Sequence, residues 1–185
     1  MSSLAIATRL VCLSALCMGL AAATPSLAVA QSPSQNVQVG PSGLPLPRFV
    51  SLRAPRANLR VGPGTDYAVQ WTFVRSGVPL EIVQEYDNWR RVRDAEGAEG
   101  WINHSLLSGN RTAIVAPWEK GQVAELPLHA QPSESARVVA RLEPGLMGAV
   151  RSCDGQWCEM DFSGVRGWLP QSRIWGAYPG ETYRN

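Results

Sequence analysis

A frame of tryptophans and glycines occurs twice in this chain. From Ala57 to Ser108 it reads A-N-L-R-V-G-P-G-T-D-Y, then D-N-W-R-R-V, then E-G-W-I-N-H-S-L-L. Between Leu126 and Trp175 the same skeleton returns more loosely. Gly77 precedes Trp89 by twelve residues and Gly145 precedes Trp157 by twelve; Trp101 follows Trp89 by twelve and Trp168 follows Trp157 by eleven. Asn58-Leu59-Arg60 finds a counterpart in Pro127-Leu128-His129, and Gly100-Trp101-Ile102 in Gly167-Trp168-Leu169. Internal repetition on this scale means two copies of one small fold rather than one larger sheet.

Each copy reads as short strands. Ala57 to Val61 alternates, and Gly62-Pro63-Gly64-Thr65-Asp66 is a dense loop signal, because Pro fixes φ and Gly permits left-handed turns. Val69, Trp71 and Phe73 alternate into a second strand, and Val78, Leu80 and Ile82 into a third. Asp87-Asn88 turns the chain, Trp89 to Arg93 returns it, and Trp101-Ile102 begins a closing strand. His104 to Leu107 is expected to form one 3₁₀ turn. Five strands with a turn every dozen residues imply a small barrel or sandwich. With 17 Gly, 14 Pro and a single Lys, Lys120, the composition supports strands joined by turns over long helices.

The first thirty residues read as an export signal. Arg9 supplies a positive charge, and Leu10 to Ala23 is an apolar run of 14 residues. That is too short to cross a hydrocarbon layer of about 30 Å comfortably. Ala28-Val29-Ala30 offers a cleavage site after Ala30. The alternative is an uncleaved anchor, which Thr24, Pro25 and Ser26 weaken. The expected location is periplasmic or secreted, with no membrane insertion once the signal is gone. Loss of residues 1–30 takes one Arg and no acid from 17 basic and 15 acidic residues, leaving a net charge of +1. A near-neutral chain has no footprint for nucleic acid. Its one basic cluster, Arg90, Arg91 and Arg93, faces Glu81, Glu85, Asp87, Asp94, Glu96 and Glu99 in the same repeat, a pattern of salted strand faces.

Cys153 and Cys158 are the cysteines left after cleavage. An even count in an exported chain points to a disulfide. Asp154-Gly155-Gln156 between them is a turn signal that brings the pair together across a hairpin. Metal ligation is the alternative; it needs further ligands, and His104 and His129 lie elsewhere. No metal and no cofactor is expected. Residues 31–52, rich in Gln, Ser, Pro and Gly, are expected to be a disordered lead-in. The expected order is therefore signal peptide 1–30, lead-in 31–52, domain 53–111, connector 112–121, domain 122–176 and tail 177–185.

The order A-x-L-R-x-G-P-G-T, a Trp opening a strand, then G-W-I/L with a Ser three residues on, resembles the bacterial Src homology 3 (SH3) family of exported proteins. The resemblance covers about 53–110 and, more weakly, 122–176. It implies two small SH3-like β-barrels in tandem, an all-β chain. It also implies a binding module of the cell envelope that touches peptidoglycan, through glycan or peptide, or an envelope protein. In the related eukaryotic domains the Trp opening the third main strand lines a groove for proline-rich peptides. Trp89 and Trp157 hold that position here. Gly62-Pro63-Gly64 replaces the tyrosines and acidic run of the first loop. Asn103 and Leu106 replace the groove Pro and Tyr in the first copy; in the second Pro170 remains and Arg173 replaces the Tyr. Tyr67 and Tyr86 bracket Trp89 and would extend a stacking surface.

Val92 and Met160 should face the core, and each Trp lies three residues away, on the opposite face. Trp89 and Trp157 then either line a groove or are covered by their own loops or the neighbouring copy. Trp101 and Trp168 are expected in the core or between sheets, and Trp71, Trp118 and Trp175 in the seam between copies. No nucleophile, base and orienter come together in the sequence, so the chain is expected not to be an enzyme. Two other readings remain. One is a structural subunit whose Trp-rich faces a constitutive partner buries. The other is an envelope hydrolase.

Overall fold

A computed structural model describes residues 38–122 and 125–184. The expected signal peptide, 1–30, and the start of the lead-in, 31–37, lie outside the described residues. The described chain is all-β, with no α-helix and three 3₁₀ turns, His104–Leu106, Pro117–Glu119 and Gln171–Arg173. The first of these is the turn the sequence predicts.

The strands are β1 (Gln38–Val39), β2 (Pro45–Leu46), β3 (Arg48–Leu52), β4 (Ala57–Arg60), β5 (Val69–Phe73), β6 (Pro79–Tyr86), β7 (Trp89–Arg93), β8 (Glu99–Asn103) and β9 (Leu107–Ser108). They continue with β10 (Thr112–Val115), β11 (Leu126–His129), β12 (Val138–Leu142), β13 (Met147–Asp154), β14 (Trp157–Phe162), β15 (Val165–Pro170), β16 (Ile174–Trp175) and β17 (Thr182–Arg184). The first sheet runs β5-β4-β8-β7-β6-β3-β9 and the second β12-β11-β15-β14-β13-β10-β16, with β17 added on β13. Shifted by seven strands, the two orders are the same. The irregularities recur too: register slips at Leu59/Arg60 and at Leu128/His129, and again between Ile82 and Gln84 and between Val150 and Ser152. Bulges re-aim a strand at a fixed point, so their recurrence marks one fold used twice.

Each copy has its own core. Leu52, Leu59, Leu80, Ile82, Val92 and Ile102 cluster in the first module, and Leu128, Val150, Cys158, Met160 and Leu169 in the second. Val92 and Met160 face inward, as their strand phase requires. Strands from the whole width of each sheet reach one cluster, so each sheet curls over its core. The ladders stay open, however: β5 does not pair with β9, nor β12 with β16. The closed barrels expected from the sequence are therefore not found. The 3₁₀ turns after β8 and β15 divert the chain and leave only two-residue strands to finish each sheet.

The structure also corrects the expected boundaries. Arg48–Leu52, assigned to the lead-in, pairs with Pro79–Ile82 as β3. Thr112–Val115, assigned to the connector, is the matching strand β10 of the second copy. Thr182–Arg184, assigned to the tail, pairs with Ser152–Asp154. Each strand lies beyond the recognisable motif and is fixed by a distant partner rather than by its own pattern. Part of the rest of the lead-in is ordered as well, as the β1–β2 hairpin.

The modules meet where strand alternation breaks. Phe49 to Leu52 and Pro79 to Ile82 are buried at every position because both faces are covered. Phe49 packs edge-on against Trp175 at 5.0 Å and on Tyr178 at 4.7 Å. The Tyr178 hydroxyl donates to Glu81 at 2.8 Å, and burial together with that bond raises its pKa well beyond the usual phenol range. Arg111 donates to both oxygens of Glu181, at 2.5 and 2.9 Å, and to the Gly176 carbonyl at 2.5 Å, with Phe49 and Tyr183 against its guanidinium. Trp175 thus fills the seam as expected, but Trp71 does not. It sits 59% exposed on the edge strand β5, and Trp118 is half exposed.

The predicted disulfide is present: Cys153 is bonded to Cys158, with their Cα atoms 4.1 Å apart. The equivalent cross-strand position in the first copy holds Glu85 opposite Arg90, an ion pair at 3.2 Å. The rest of the basic cluster is paired as the sequence predicts, Arg91 with Glu99 and Arg93 with Glu81. Glu85 is nearly inaccessible. Burial disfavours its charge, but hydrogen bonds from the Ser42 amide and hydroxyl and from Arg48 outweigh that and hold the carboxyl at about 2. A carboxyl depressed on folding stabilises above its unfolded pKa, near 4.5, and loses that contribution as pH falls towards 2. Asp161, also held at about 2 by the Gly164 amide, Arg151 and Arg166, acts in the same window. For Glu85 the loss should be on the order of 2 kcal/mol, allowing for screening of its partly exposed arginines. Urea midpoints measured between pH 5 and 2 should fall, and Glu85→Gln should flatten part of that fall.

Candidate functional site

The candidate groove of the first module begins with a strand pair. Trp89 opens β7 directly opposite Asn103, the last residue of β8. Asn103 caps the following 3₁₀ turn, its Oδ1 accepting from the Ser105 amide at 3.0 Å, and the turn carries Leu106 to the same place. Across from them Arg60 ends β4 and donates to the carbonyls of Thr65 at 2.9 Å and Tyr67 at 2.6 Å. Those bonds fold the Gly62-Pro63-Gly64 loop back on its own strand. Trp89, Asn103 and Leu106 line the resulting groove of about 370 Å³ together with Arg56, Asn58, Arg60 and Thr65. The lining carries two arginines and no carboxylate, Cys or His, so it favours an anionic group beside apolar surface.

The two tyrosines are placed elsewhere. The Tyr67 ring lies against Gly62 and Gly64, where a Cβ on Gly62 would stand only 2.3 Å from it. It fills the space the glycines leave and does not line the groove. Tyr86 is 60% exposed at the hairpin end opposite Trp89, outside the groove lining.

The second module carries a groove at the same place, of about 510 Å³, with Pro170 for Asn103, Arg173 for Leu106, His129 for Arg60 and Glu134 for Thr65. Trp157 pairs with Pro170, but its ring meets that of His129 edge-on at 5.7 Å, and it does not line this groove. The His129 Nδ1 lies 3.1 Å from the Ala136 carbonyl, and Arg173 donates to Glu119 at 2.7 Å. The two grooves therefore share position and differ in charge. Among the described residues, no three His, Cys, Asp or Glu side chains are grouped to hold a metal ion.

Trp101 and Trp168, expected in the core or between sheets, are half-buried on the outer face. The inward positions beside them belong to Gly100 and Ile102 and to Gly167 and Leu169. A Cβ on Gly100 would stand 2.9 Å from the Arg60 carbonyl oxygen, and one on Gly167 2.7 Å from that of His129. The Gly-Trp step thus lets β8 and β15 cross β4 and β11 closely, and the groove depends on that crossing. Reading individual motifs missed Arg56, Asn58, Arg60 and Thr65. Arg60 and His129, and Thr65 and Glu134, stand at equal offsets in the two copies, but that equivalence alone does not mark a groove.

No curated protein matches the chain. Solved structures similar to it include NlpC2 from Trichomonas vaginalis, at 13% identity and a TM-score of 0.31, covering 71% of this chain and 48% of that one. An NlpC/P60 family protein from Bacillus cereus ATCC 10987 matches at 13% identity and a TM-score of 0.30, covering 74% of this chain and 56% of that one. The chain spans about half the length of these structures, and nothing about activity follows from likeness at this level. The bacterial SH3 domain model matches residues 53–109 and 122–176, which hold most of the strands of the two repeated sheets, and the chain belongs to the bacterial SH3 domain family.

Proposed function

We propose that this is an exported, non-enzymatic binding protein of the cell envelope, and that the Trp89 groove takes a peptidoglycan or envelope-protein partner. The observation that carries this reading is the groove itself. An indole, a leucine and two arginines converge at a strand-turn junction fixed by Asn103 and Arg60. Apolar surface beside guanidinium groups suits a peptide segment bearing a carboxylate, as on a cell-wall stem peptide or an acidic stretch of an envelope protein. The absence of carboxylate, Cys and His from the lining supports a binding role over a catalytic one.

The test is retention by purified sacculi and by immobilised envelope extract. Trp89→Ala should lower retention at least fivefold with the circular dichroism spectrum unchanged, because the ring is only half-buried. If the native chain is held by neither matrix, the reading fails.

The exposed edge strand β5 favours a second reading, that of an accessory subunit. Trp71 and Val69 are 59% and 46% exposed there, a surface that a constitutive partner would cover. Native mass measurement of the protein from its own envelope decides between them: a stable complex that protects Trp71 selects the second.

A further inference from the structure

The seam between the modules opens outward into a cleft of about 370 Å³ that neither copy forms alone. We propose that this cleft is a second binding site, separate from the Trp89 groove, and that it takes a short run of neutral sugar rings. From the second module it receives Trp118, half exposed, and Trp175; from the first, Arg93 and Asp94. Indole faces are electron-rich and apolar, and they match the C–H faces of a sugar ring. The polar groups beside them would meet its hydroxyls. Arg93 spends Nε and one terminal nitrogen on Glu81, and Asp94 uses Oδ1 to accept from the Glu96 and Ala98 amides. That leaves Arg93 Nη1 and Asp94 Oδ2 without an intramolecular bond among the described residues.

Three features favour a neutral glycan. Glu81 and Asp94 outnumber Arg93 at the cleft, which disfavours a polyanion. The strand edge there, β16, is two residues long, so a peptide would gain few ladder bonds by adding to it. The walls are also rigid, because Phe49 packs edge-on against Trp175 and Tyr178 is bonded to Glu81, so little ordering is required on binding. Ser172 lines both this cleft and the Pro170 groove, so the two sites adjoin and a linear chain of rings would run from one towards the other.

The test is calorimetric titration of the full chain with chitotetraose and cellotetraose as neutral glycan probes. Binding of either, weakened at least tenfold by Trp118→Ala and changed less than twofold by Trp89→Ala, supports the site. Trp118 is exposed enough for that variant to fold, and Asp94→Asn provides a second probe that should also weaken binding. The proposal is overturned if neither glycan binds the native chain, if Trp118→Ala and Asp94→Asn both bind like the native chain, or if Trp89→Ala alone abolishes binding. Failure of the Trp89 groove in the sacculus assay would leave this titration unaffected, so the two sites stand or fall separately.

Discussion

Arg111→Ala should lower the stability of the folded chain by about 2–4 kcal/mol, the cost of a void beside two rings and of a buried carbonyl left without its donor. Arg111 is 7% exposed; it ties the C-terminal segment of the second module to β10 and meets the first module at Phe49. It bonds both Glu181 oxygens and the Gly176 carbonyl, and it stacks on Phe49 and Tyr183. Alanine leaves Glu181 with only the Tyr178 amide as donor, leaves a buried carbonyl with none, and opens a void beside two rings. Arg111→Lys should restore little, because an ammonium cannot span a carboxylate and a carbonyl as the planar guanidinium does. Its hydrogen-bond partners, Glu181 and Gly176, belong to the second module, so the loss falls mainly there. Urea unfolding followed by fluorescence should change from one transition to two. A midpoint within about 1 kcal/mol of the native value would show that the clamp is dispensable.

Gly167→Ala should have an effect of similar size, about 2–3 kcal/mol, or roughly 5–10 °C in Tm for a chain of this length. The added Cβ would lie 2.6 Å from Leu128 Cγ, 2.7 Å from the His129 carbonyl oxygen and 2.9 Å from Val139 Cγ2. The side chains have some room to adjust. The carbonyl has little, because His129 faces Trp168 across the β11–β15 ladder. Gly109→Ala is the control: a Cβ there meets nothing within 4 Å, and its stability should change by no more than about 0.5 kcal/mol. Equal melting temperatures for the two variants would mean that β11 and β15 do not cross as closely as described.

The repeat, the strands of its motif, the disulfide and the inward set around Val92 and Met160 were legible in the sequence because each is written in local spacing. The outer strands were not. Arg48–Leu52 follows a Pro- and Gly-rich stretch and loses alternation because the second module covers its other face. Thr112–Val115 is only four residues long. Pairing over thirty or more residues leaves no local mark. At the site, Trp89, Asn103 and Leu106 were found by resemblance and do converge. Tyr67 was misplaced because nothing in the sequence says that its ring fills the space left by Gly62. Trp101 and Trp168, expected in the core or between sheets, lie on the outer face because strand phase gives the inner one to Gly100 and Ile102 and to Gly167 and Leu169. Charge pairing was legible where it was cross-strand, as for Arg91 and Glu99. It was not legible for Arg111, whose partner lies 70 residues away.

Amide chemical-shift mapping bears most directly on the proposed role. The labelled chain would be titrated with solubilised peptidoglycan fragments, and then with whichever envelope fraction retains it. Perturbed amides gathered around Trp89, Asn103, Leu106 and Thr65 are the predicted result. Perturbation confined to Val69–Phe73, or none with either titrant, would contradict it.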